Sequence, residues 1–137
     1  MASNFWLSNG TANLLALQLN TSTTWGFNAA SLVIYSGTQP ANANTGLAGN
    51  VALATFTLPV AGSNTVTNNQ ITFGVISDVI ASNSGTASFF RITQNSGSNV
   101  ICDGTVGTTL CDLLVNSIAI SSGATVSISA FTYSITE

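Results

Sequence analysis

The chain contains no lysine and no histidine, and its one basic residue is Arg91. Its acids are Asp78, Asp103, Asp112 and Glu137, so charged residues make up 4% of 137 positions, where about 25% is ordinary. Each absence removes a class of chemistry. Without His there is no Ser-His-Asp or Cys-His pairing, and without Lys there is no Schiff base or Ser-Lys dyad. Zinc takes three or four Cys or His ligands, and Cys102 and Cys111 are the only two on offer. No acid-rich loop supplies the oxygen cluster that calcium needs. Phosphate neutralisation requires clustered Lys and Arg, so neither nucleic acid nor an anionic membrane surface is expected as a partner. No apolar run reaches the roughly 18 residues of a spanning helix. Met1–Asn20 lacks the basic start of a signal peptide, so classical secretion is not expected. Asp103 and Asp112 are the one candidate acid/base pair. Each follows a Cys beside turn residues, where Asp commonly bonds local backbone. The chain therefore reads as non-enzymatic, with no cofactor and no metal.

What is present is neutral polarity: 18 Ser, 19 Thr and 15 Asn beside 45% hydrophobic residues. Free soluble domains use charge to keep neighbours apart. A surface of hydroxyls, amides and apolar atoms suits a protein packed against copies or partners. The alternative is a Thr/Asn-rich β domain held in solution by those same groups.

The pattern along the chain is that of an all-β single domain over residues 1–137. The firmest element is a hairpin, with arms Ala87–Thr93 and Val100–Val106 around the turn Gln94–Asn99. Ser31–Ser36 reads as a strand buried on both faces. Gly37–Asn50 is a polar loop of 14 residues, long enough to make contacts of its own, and Val51–Leu58 resumes as a strand ended by Pro59. Asn64–Thr67 and Gln70–Ile76 form a second hairpin around Asn68-Asn69, with Ile71, Phe73 and Val75 on its buried face. Asn116–Ile120 is a short strand. In Thr125–Ile135, Val126, Ile128 and Ala130 share one face while Phe131, Tyr133 and Ile135 share the other. A β-bulge would absorb that flip, as would a strand passing between sheets. About eight strands at regular spacing predict a β-sandwich of jelly-roll type. The first 20 residues form either an irregular arm or one short helix capped by Ser8 or Asn9, with Leu14, Leu15, Gln18 and Leu19 on one stripe.

Several residues are candidates for contacts. Phe5, Trp6 and Leu7 are core or an anchor on a neighbouring subunit, and Gln39, Pro40, Asn42 and Asn44 occupy the long loop. Cys102 and Cys111 are a candidate disulfide, or two small hydrophobes kept reduced. Arg91 pairs with Asp103 on the partner arm or reaches a neighbouring chain. Trp6, Trp25 and Tyr35 are the aromatics on which a sugar would stack, although no polar constellation beside them is evident.

Three segments carry a family resemblance: Leu32–Gly46 (LVIYSGTQPANANTG), Thr86–Thr108 (TASFFRITQNSGSNVICDGTVGT) and the Ser/Thr-rich end SGATVSISAFTYSI. Together they resemble small virion structural proteins of tailed bacteriophages and prophages. The resemblance implies a decoration or cement protein on the capsid exterior, made in the bacterial cytoplasm. Its partners would be the major capsid protein and copies of itself. A tail, fibre or head–tail joining component is the alternative within the virion, and a carbohydrate-binding surface module the alternative outside it.

Overall fold

The computed structural model describes residues 7–135. One helix, α1 (Asn9–Thr21), precedes eleven strands: β1 (Ser31–Ser36), β2 (Ala52–Thr57), β3 (Thr65–Thr67), β4 (Gln70–Thr72), β5 (Val79–Ile80), β6 (Gly85–Gln94), β7 (Asn99–Gly107), β8 (Leu113–Val115), β9 (Ala119–Ile120), β10 (Thr125–Val126) and β11 (Ile128–Ser134). The all-β single domain is thus realised as one curled mixed sheet. Its strand order is β2-β1-β6-β7-β8-β11-β4-β3, with β9 added on β6; β5 and β10 form a separate ribbon. All pairs are antiparallel except β7 with β8, which run parallel after the short excursion Thr108–Asp112.

The centre of the sheet is β1-β6-β7, where the period-two rule divides large residues between two faces. Leu32 and Ile34 on β1 stand beside Ile92 and Phe90 on β6 and face the core with Phe56 of β2. Val33 and Tyr35 stand beside Arg91 and Phe89 on the outer face. β1 is therefore not buried on both sides: its core face is closed, and its outer face is only half covered. Inside the curl, an aromatic chain links distant strands. Phe90 meets Phe131 edge-on at 5.4 Å, Phe131 stacks on Phe73 at 4.8 Å, and Phe73 meets Phe27 at 5.6 Å.

The turns follow the chemistry of their residues. Asn68 and Asn69 both take left-handed φ (50° and 63°), the two-residue turn that suits a twisted hairpin. β4 stops at Thr72, however, and Val75 is fully in solvent. The expected buried face of this hairpin ends after Ile71 and Phe73. At the C-terminus the phase flip is resolved in both ways. The segment crosses from β10, paired with β5, to β11, paired with β8 and β4. The register then slips between Ile128 and Ala130, so Ser129 is the bulged residue that lets Phe131 turn inward. The strand expected over 116–120 is shorter, limited to Ala119–Ile120.

The N-terminal segment is helical, with Ser8 as its cap: the Ser8 hydroxyl accepts from the Thr11 amide at 3.3 Å. The expected leucine stripe is not the buried one. Ala12, Ala16 and Asn20, four residues apart, face the protein, while Leu14, Leu15 and Leu17 face solvent and Leu19 is half-buried. Small residues let the helix backbone lie close over β3 and β4. Amides then make the joint. Asn64 donates to Asn20 Oδ1 at 2.8 Å, and Asn20 donates to the Ala61 carbonyl at 3.3 Å. Asn64 Oδ1 in turn accepts from the Gly74 amide at 3.0 Å.

Candidate functional site

Charge is scarce in this chain, and its one basic side chain is buried. Arg91 on β6 lies directly across from Asp103 on β7. Its Nε reaches Asp103 Oδ1 and its Nη2 reaches Oδ2, both at 2.7 Å, a bidentate pair with both side chains buried. Nη2 also donates to the Thr45 carbonyl at 2.9 Å. The single cation therefore pins the long loop to the sheet. Asp103 is also the neighbour that holds the guanidinium protonated to still higher pH than usual. Asp112 has a comparable task, accepting from both the backbone amide and the hydroxyl of Thr105 at 2.8 Å. It ties the excursion before β8 back onto β7. Both carboxylates flanking the cysteines hold structure.

The first candidate surface is the loop Gly37–Asn50. Its shape comes from asparagine side chains acting as backbone mimics. Asn42 Oδ1 accepts from the Asn44 amide at 3.0 Å and the Thr45 hydroxyl at 3.1 Å. Asn50 donates to the Ser36 and Thr38 carbonyls at 3.1 and 3.0 Å and accepts from the Ala48 amide at 3.1 Å. At Gly37, φ is +86° and an added Cβ would lie 3.0 Å from Asn50 Nδ2, so the chain needs glycine to turn here. Asn42 and Asn44 are exposed; Gln39 and Pro40 are half-buried. Ser88, a bulged residue of β6, secures the loop's start by donating to the Tyr35 and Gly37 carbonyls.

The second surface is the outward side of α1. Leu14 is 56% exposed, and Leu15 and Leu17 exceed 40% or reach it. Leu7 is exposed just before the helix, whereas Phe5 and Trp6 lie outside the described residues. Beside the helix, Trp25 is 60% exposed and borders an open groove of about 450 Å³ with Leu15, Leu19, Tyr133 and Ile135. That groove is apolar. Leu7 and the long loop belong to opposite ends of the strand order, α1 lying on β3 and β4 and the loop joining β1 to β2. The leucine face was legible as apolar residues but not as an exposed surface, since nothing local says which side of a helix meets the sheet.

Cys102 and Cys111 are free thiols. Burial, with the carboxylates of Asp103 and Asp112 adding to it, pushes the Cys102 thiol up to about 12. It is a packed side chain rather than a nucleophile at neutral pH. Cys111 fits against Gly107, where an added Cβ would fall 2.5 Å from its Sγ. Among the described residues, no group of three or more His, Cys, Asp or Glu side chains gathers as a metal site would require. No described helix is long and apolar enough to cross a membrane. Comparison with protein-family models, curated proteins and solved structures gives no match to this chain.

Proposed function

We propose that this chain is a non-enzymatic structural protein of a tailed-phage virion, and that it decorates and cements the head from outside by binding the major capsid protein lattice. The observation that carries the reading is the outward leucine face of α1 in a chain with one basic and four acidic residues. A surface helix ordinarily turns charged residues to water. Leucines in their place, next to exposed Trp25 and Leu7, are tolerated where a partner covers them. The neutral remainder of the surface fits the same life, with contacts shared among many copies and little need to repel neighbours. Small contacts repeated over a lattice hold by multivalency.

The resemblance of Leu32–Gly46, Thr86–Thr108 and the C-terminal strand to phage virion proteins supports the virion setting. In this reading the partners are the major capsid protein and copies of the chain itself, and the location is the capsid exterior. Quantitative mass spectrometry of purified particles tests it. A copy number equal to that of the major capsid protein, or a simple fraction of it, is expected. A handful of copies per particle would overturn it and favour a tail, fibre or head–tail joining component.

A further inference from the structure

A second groove, of about 430 Å³, lies over the outer face of β1 and β6. This is within the range of small-ligand sites, about 300–1,000 Å³. The pleat builds it: Ser31, Val33 and Tyr35 alternate outward on β1, and Thr93 and Arg91 face outward opposite Ser31 and Val33. Leu47 of the long loop closes one side, and the hairpin turn after Gln94 forms the end. Three of the non-glycine residues with left-handed backbone, Ala29, Asn95 and Ser96, line this one groove. Asn95 and Ser96 belong to the hairpin turn between β6 and β7 that closes this end of the groove.

The polar groups on its walls are partly unspent. Arg91 is 95% buried, and its Nε and Nη2 are engaged while Nη1 has no partner among the described residues. The Tyr35 hydroxyl has none either, although its ring is held by stacking on Phe89 at 5.3 Å. Gln94 uses both amide hydrogens on the Gly26 and Asn28 carbonyls, which orients the side chain and leaves Oε1 to accept. Among the lining residues, Arg91 Nη1, the Tyr35 hydroxyl and Gln94 Oε1 are thus left to hydrogen-bond, beside the apolar Val33, Leu47 and the Tyr35 ring.

We propose that this groove is a binding site for a neutral saccharide. Asp103 cancels the charge of Arg91 through the bidentate pair, so the groove attracts neither anion nor cation. A sugar ring matches what remains, offering hydroxyls to the donors and acceptor at its edge and C–H groups to the apolar strip. The site is independent of α1, and of whether the chain sits on a capsid.

The test is saturation-transfer NMR and calorimetric titration of the full chain against a panel of neutral and anionic mono- and oligosaccharides. Saturable binding of at least one neutral sugar is expected. Tyr35→Phe, which keeps the ring, should weaken it about five- to tenfold, the loss of one hydrogen bond. Thr93→Trp, which fills the groove from the sheet, should abolish it. Trp25→Ala should leave it unchanged. Absence of saturable binding by every neutral sugar, tighter binding of the anionic ones, or loss on Trp25→Ala with Tyr35→Phe unaffected would each overturn the proposal. Should Thr93→Trp fail to fold, the contrast between Tyr35→Phe and Trp25→Ala decides alone.

Discussion

The β6–β7 hairpin and α1 bury their residues by opposite rules. In the hairpin the large apolar Phe90 and Ile92 point to the core, and Arg91 between them points away. In α1, the small residues Ala12 and Ala16 and the amide of Asn20 turn inward while three leucines remain outside. The difference lies in what each element packs against. A strand in mid-sheet is held at a set spacing by its neighbours' hydrogen bonds, so filling the core is left to side chains. A helix lying on a sheet edge sets its own distance, and small residues with amide bonds bring it close. Apolar character alone therefore does not say which side of an element the fold buries.

The contrast can be broken most severely at the ion pair. Asp103→Ala leaves a buried guanidinium without its counter-charge and should cost about 3–5 kcal/mol, seen as a lower urea midpoint at unchanged slope. Gly104→Ala places a Cβ about 2.5 Å from the Phe90 ring and 3.2 Å from Asp112 Cβ. Overpacking of this kind should cost about 1–3 kcal/mol and lower the melting temperature. On the helix the rule reverses. Ala16→Leu enlarges the close joint and should destabilise by a similar ~1–3 kcal/mol, whereas Leu14→Ser should stay within about 0.5 kcal/mol. Equal effects of the two would show that the helix does not pack by its small face. In sedimentation or light scattering at high concentration, Leu14→Ser should nevertheless reduce self-association.

A pH experiment sharpens the hairpin side. The folded Cys102 thiol titrates near 12 rather than near 9, so the unfolded chain loses this proton first. Stability from this group is whole below about pH 9 and falls as pH rises toward about 12. Tyr35 and Tyr133, raised above their ordinary 10 chiefly by burial, add to the loss only at the upper end of that window. Denaturation curves between pH 8.5 and 10 should show the decline in the parent chain and lose most of it in Cys102→Ala.

Much of the sheet was legible because its signals are local. Alternation marked the arms of the central hairpin, Asn68-Asn69 marked a tight turn, and the phase flip before Phe131 marked a bulge at a change of sheet. The placement of Arg91 opposite Asp103 needs a register shift between Ile92 and Thr93, without which the expected arms would set Arg91 opposite Cys102. Other features had no local sign. Val75 continues an alternating pattern yet is exposed, because nothing pairs with the chain beyond Thr72. The groove beside Tyr35 needs the long loop to return over β1, and that return depends on a bond from Arg91 to the carbonyl of Thr45, 46 positions away.

Composition by itself determined that this chain would be poor in charge and without lysine or histidine, and its alternation of residues that it would be β-rich, since those properties depend on which residues are present and in what order. Only the tertiary structure decided where its few charges went, which side of α1 met the sheet, and which aromatic acquired polar neighbours. Those outcomes depend on contacts between residues far apart in the chain, where register, curl and distance of approach are set jointly rather than by any one segment.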